Sequence, residues 1–105
     1  MSFRVYNTGL WYQANAFQTT DASSSPQSSP LSLDGTSTYT LTVPTNAVQL
    51  KLFPTVDLDV SEDSSMSNYF QIAANSVVTI PVADVDKVYV KSGSSGSLYF
   101  MFELV

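Results

Sequence analysis

From Thr38 to Val43 the chain alternates without exception, with Tyr39, Leu41 and Val43 on one side and Thr38, Thr40 and Thr42 on the other. That period of two is the period of a β-strand with one buried face, and a helix cannot present it as a continuous stripe. Pro44 ends the run. The pattern then returns: Ala47 to Phe53 alternates with Val48, Leu50 and Leu52 inward, and Val56 to Val60 alternates with Asp57 and Asp59 outward. Leu31-Ser32-Leu33 precedes Asp34-Gly35, a pair suited to the backbone of a tight turn. Beyond the polar stretch Ser61 to Asn68, the segments Tyr69 to Ala73 and Val77 to Val82 read as two more strands, joined across Ala74-Asn75. Pro81 cannot donate to a ladder, which assigns the second of these to a sheet edge. Eight or nine short strands with regularly spaced turns and no helical period predict an all-β fold, an antiparallel β-sandwich of jelly-roll-like form.

The last stretch, Lys87 to Val105, reads KVYVKSGSSGSLYFMFELV. Two apolar-rich runs around a Ser/Gly loop predict a β-hairpin. In the second run Leu98, Phe100, Phe102 and Leu104 share one face, and Tyr99, Met101 and Val105 share the other. Glu103 is its single charge. One apolar face suffices for a sandwich strand, yet here both faces ask for cover. We assign the first set to the core. Tyr99, Met101 and Val105 are then candidates for contact with another chain, and an N-terminal segment around Trp11 and Tyr12 is the competing cover.

A chain of 105 residues is enough for one domain. Residues 31–105 carry the sandwich pattern. Residues 1–30 carry two short strands, Phe3 to Tyr6 and Leu10 to Tyr12, and then a low-complexity segment from Thr19 to Pro30. Such a segment buries too little apolar area to offset its ordering entropy. It is either a surface loop or an extended arm that orders on a partner.

Composition removes most chemistry. The chain has no Cys and no His, and its net charge is −5. It therefore lacks a disulfide framework, the commonest general base and the commonest transition-metal ligand. Its basic residues are Arg4, Lys51, Lys87 and Lys91, too few for a phosphate backbone, so nucleic acid is not an expected partner. It has no apolar run long enough to span a membrane and no basic, apolar leader. Its serines have no His to activate them, and no enzyme activity or cofactor is expected. The one charge concentration is Asp57, Asp59, Glu62 and Asp63. Clustered carboxylates suit a hard cation, which makes this a weak Ca²⁺ candidate, although it lacks the Gly and terminal Glu of an EF-hand loop. The other reading is that the outward carboxylates deter edge pairing and keep the surface solvated. The aromatics Trp11, Tyr12, Tyr69, Tyr89 and Tyr99 offer either a sugar-stacking platform or interface contacts.

The stretches TYTLTVPTNAVQLKLF, VDLDVSED and YFQIAANSVVTIPVADVDKVYVKSGSSGSLYFMFEL span the C-terminal two-thirds. They resemble the small β-sandwich virion proteins of tailed bacteriophages, of the head-decoration (cement) or minor structural kind. The shared pattern is a Thr-rich strand ending in Val-Pro, an Ala-Val-x-Leu strand, and a Val-Tyr-Val-Lys run with a Ser/Gly loop before a final aromatic strand. The resemblance implies a virion location after synthesis in the host cytoplasm, with the major capsid protein as partner. It also implies a homo-oligomer, with a trimer as the expected order because such proteins often trimerise. The alternative function is a carbohydrate- or receptor-binding β-sandwich module of a tail structure.

Overall fold

The computed structural model describes residues 10–13, 19–20, 26–27 and 29–105. Eleven strands follow in order: β1 (Leu10–Gln13), β2 (Thr19–Thr20), β3 (Pro26–Gln27), β4 (Leu31–Asp34), β5 (Thr38–Thr42), β6 (Ala47–Pro54), β7 (Leu58–Ser61), β8 (Phe70–Ile72), β9 (Val78–Pro81), β10 (Lys87–Ser92) and β11 (Ser95–Leu104). No helix occurs among the described residues. The expected strand Phe3 to Tyr6 lies outside them.

The pairing is nested. Strand β7 pairs with β8, β6 with β9, β5 with β10 and β4 with β11, all antiparallel. The chain from β4 to β11 is therefore one long folded ribbon. The ribbon closes on itself because β11 also pairs with β6, and β10 with β7. Two sheets result: one in the order β4-β11-β6-β9, with β1 as a fifth strand on β11, and one in the order β5-β10-β7-β8. Both are antiparallel, and together they form a β-sandwich with the jelly-roll path.

This path corrects one local expectation. The runs Lys87–Ser92 and Ser95–Leu104 are not a hairpin, because β10 and β11 belong to opposite sheets. The Ser/Gly loop carries the chain from one layer to the other. Strands β8 and β9 likewise lie in opposite sheets, so the joint at Ala74-Asn75 is a crossing between layers. From β4 to β11, only β7 and β8 are sequence neighbours that also pair.

Alternation fixes the core as expected. Tyr39, Leu41, Leu58, Val60, Ile72, Val88 and Val90 come from one sheet, and Leu31, Leu33, Leu50, Leu52, Leu98, Phe100 and Phe102 from the other. Phe100 and Phe102 meet edge to face at 6.1 Å, a geometry that aligns the ring edge with its neighbour's electron-rich face. Leu104, assigned to the core, is only partly buried and packs against it, and β6 departs too. The register slips between Glu103 and Leu104, so that Leu104 faces Ala47. An extra residue in one strand resets which side chains point inward. Ala47 is accordingly buried, and Val48, expected in the core, is only half-buried.

Strand β11 is the spine of its sheet. On one edge it pairs with β4 through Ser95–Leu98 and with β1 through Met101–Leu104. The gap between them is bridged by Ser29, whose buried hydroxyl accepts the Phe100 N–H at 3.1 Å. Within the low-complexity segment, β2 pairs antiparallel with β3. Pro81 sits on β9, which ends its sheet as the sequence predicts.

Turns make the crossings tight. At Asn46, Asn75 and Asp84 the backbone takes positive φ of 70°, 63° and 66°, a conformation that Asn and Asp tolerate better than most residues. Gly96 is needed for a different reason. A Cβ there would lie 2.7 Å from Cγ1 and 2.9 Å from Cγ2 of Val56. Val56 is β-branched and cannot swing aside freely. In the β4–β5 turn the Asp34 carboxylate accepts the Thr36 N–H at 2.8 Å, the Ser37 N–H at 2.7 Å and the Ser37 hydroxyl at 2.6 Å. These bonds, led by the Ser37 hydroxyl, favour the charged form and hold Asp34 well below the usual carboxylate range.

Gly96→Ala is expected to destabilise the fold by about 1–3 kcal/mol through overpacking. Urea unfolding measures this, and Val56→Ala in the same background should restore part of the loss. Asp34→Ala should lower Tm at neutral pH. Because the folded carboxyl titrates below its unfolded value of about 3.9, the charged turn stabilises fully above that pH and ceases to as pH falls further. The Tm gap between Asp34→Ala and wild type should therefore shrink below about pH 4. A gap that stays constant down to pH 2 would assign the effect to packing.

Candidate functional site

The jelly-roll path leaves one long side of the sandwich open. There β8 ends one sheet and β9 ends the other. Between them runs a groove of about 620 Å³. Its floor is formed by inward residues of both sheets, including Val60, Val82 and Val88. Phe70 lies opposite Val60 in the β7–β8 ladder, so it belongs to the inner face. It is nevertheless 46% exposed, and the adjoining Tyr69 is 57% exposed. An inward aromatic left this open means that the core is not sealed on this side.

One wall of the groove is acidic. Glu62 and Asp63 line it from the β7–β8 loop. The buried Ser61 hydroxyl closes that loop by donating to the Asn68 carbonyl and accepting the Asp63 N–H at 2.9 Å. Hydrogen bonds from the Ser65 hydroxyl and N–H pull the Asp63 carboxyl below its ordinary range. Val85 lines the groove from the β9–β10 loop, between exposed Asp84 and Asp86.

The expected carboxylate cluster is divided by this arrangement. Asp57 immediately precedes β7 and Glu62 immediately follows it. Five residues of near-extended chain separate them by about 16 Å. The Asp57 carboxylate accepts the Ala74 N–H at 2.9 Å, and the Asp59 carboxylate accepts the Gln71 side-chain amide at 3.1 Å. Both face a polar recess of about 490 Å³ that Gly93 and Ser94 also line. Among the described residues no three carboxylates gather in a group that could hold a metal ion.

The aromatics are also kept apart. Tyr89 alternates with inward Val88 and Val90 and so faces out from its sheet, while Tyr99 faces out from the opposite sheet. Tyr69 stands on the open side. The three do not form one platform. Trp11 is opposite Glu103 and Tyr12 opposite Phe102 in the β1–β11 backbone register. Their side chains lie outside the described residues.

The outer face of β11 is partly covered. Tyr99 is 44% exposed and Val105 is exposed, while Met101 is half-buried. Tyr99 lies opposite Phe53 on β6, with ring centres 6.1 Å apart. Glu103, the strand's one charge, is only 5% exposed. Sequence reading missed this burial, and it missed the exposure of Phe70. The only available signal for Phe70 was its place in a short strand beside a long polar loop.

No protein-family model, curated protein or solved structure matches the chain.

With Asp57 and Asp59 lining one recess, and Glu62 and Asp63 another, adding chelator or millimolar calcium should leave Tm unchanged. A rise in Tm with calcium would show that the carboxylates do gather on a cation.

Proposed function

We propose that this chain is a non-catalytic structural protein of a phage virion, a decoration or cement subunit that binds the major capsid protein and associates with its own copies. The observation that carries the reading is the Phe53–Tyr99 pair on the outer face of the β11 sheet. The fold gains little from leaving these rings on the surface. Amphipathic aromatics of this kind are enriched where two proteins meet. The jelly roll itself, a frequent architecture of capsid proteins, adds an associational argument, as does the resemblance of residues 39–103 to decoration proteins. Many weak contacts repeated over a shell would give avidity without high single-site affinity.

The absence of His and Cys from the sequence, and the use of Asp34, Asp57, Asp59 and Asp63 in local hydrogen bonds, favour a surface role over a reaction. Tyr89 and Tyr99 face opposite ways, which weakens the saccharide-platform alternative.

Tyr99→Asp should remove particle binding while the fold survives, with a stability loss of no more than about 0.5–1.5 kcal/mol from the lost ring pair. Thermal melting and co-sedimentation with purified particles measure the two effects. Copy number by mass spectrometry of particles tests the reading as a whole. Hundreds of copies support a shell subunit, a handful points to a tail or vertex part, and none overturns the virion reading.

A further inference from the structure

We propose that the open groove between β8 and β9 receives an apolar anchor of a partner protein's segment flanked by arginine or lysine. The inference rests on the structural reading above and names the chemistry of the partner. Size and lining come first. The groove of about 620 Å³ has aliphatic walls from both sheets and the half-exposed ring of Phe70 at its mouth. Filling it removes from water apolar surface that the fold leaves uncovered. An aliphatic floor suits a Leu- or Ile-sized side chain. A sugar needs a flat ring and many convergent hydrogen bonds, and Asp63, one of the few polar groups here, is already engaged with Ser65.

Charge selects the flanks. Glu62 and Asp63 stand on one loop, and Asp84 and Asp86 on the other, so four of the chain's nine carboxylates border this end. A second copy seated groove to groove would bring eight carboxylates together, and like charges at an interface are costly. A basic flank is complementary, and it would also steer encounter.

The edges exclude docking as an added strand. The Val82 N–H donates to the Val48 carbonyl at 3.0 Å. Hydrogen-bonded pairs alternate in an antiparallel ladder, so along β9 only Thr79 and Pro81 turn backbone groups outward, and Pro81 has no N–H. The Val43 N–H donates to the Asp86 carbonyl at 2.9 Å, and the same phase, carried through β10 and β7, leaves Gln71 alone facing outward on β8. Too few groups remain to register a new strand. The partner is therefore held by side chains.

The test uses the full chain, ¹⁵N-labelled, with two blocked peptides, acetyl-SRLIRS-amide and acetyl-SELIES-amide. The basic peptide should shift the amides of Tyr69, Phe70, Val82 and Val85, and should bind more weakly at high salt. Glu62 is exposed, so Glu62→Lys should fold normally; it should weaken the basic peptide by about two- to fivefold and strengthen the acidic one. Tyr69→Ser should weaken the basic peptide as well. The proposal is overturned if both peptides bind equally, if the shifts fall elsewhere, or if neither peptide binds at millimolar concentration. It is also overturned if the protein's own dilution series moves the groove resonances, which would make the occupant a second copy, or if methyl β-glucoside moves them more than the basic peptide does. Particle copy number judges the virion reading separately. Copies in particles without peptide binding would overturn the groove alone, and peptide binding without copies in particles would overturn the virion reading alone.

Discussion

The ladder between β6 and β11 curls the folded ribbon back on itself. Without it and the β7–β10 ladder, the nested pairs β4–β11, β5–β10, β6–β9 and β7–β8 would form one open twisted ribbon with both faces wet. When β11 inserts beside β6 from Leu98 to Leu104, the ribbon curls into two layers. Leu98, Phe100 and Phe102 then meet Leu50 and Leu52 on one side and the inner residues of the other sheet across the core. The arrangement is non-local, since strands β6 and β11 are separated by four others along the chain. Fold closure therefore waits on the last strand, a topology associated with slow folding.

Closing the ribbon this way has a structural consequence on the opposite side. The β4 and β5 edges are joined by the tight Asp34–Ser37 turn and extended by β1 and Ser29. The β8 and β9 edges have only short strands, three and four residues long. They cannot cover the layer between them, so Phe70 remains half in water. The same shortness protects these edges from adding foreign strands, and Pro81 reinforces the protection. An open apolar slot beside blunted edges favours docking by side chains over extension of the sheet.

Much of this was legible in residue order. The period of two in Thr38–Val43, the Pro stops and the turn pairs placed the strands and most of the core, and Pro81 placed an edge. The inner set Leu98, Phe100 and Phe102 was evident because no other strand carried so continuous an apolar row. The candidate sites were less legible. The carboxylates Asp57 to Asp63 look adjacent in the sequence, but the extended chain of β7 turns the two pairs into different recesses. Phe70 was placed in a strand with no face assigned to it, and nothing local reveals that its strand ends a sheet.

By itself, then, the sequence determined which residues face in and which face out, because side-chain alternation is a local property of an extended backbone. Only the tertiary structure decided which strand lies beside which. The Ser/Gly loop after Ser92 reads equally well as a hairpin turn or as a crossing between layers, and the pairing of β10 with β5 and β7 resolves it. The slip at Glu103–Leu104 exchanges Ala47 for Val48 in the core, since register depends on partners far away in the chain. Burial of Glu103 and exposure of Phe70 have the same origin. Each is set by where its strand sits in the sheet, and sheet position is a relation between distant segments that no local pattern encodes.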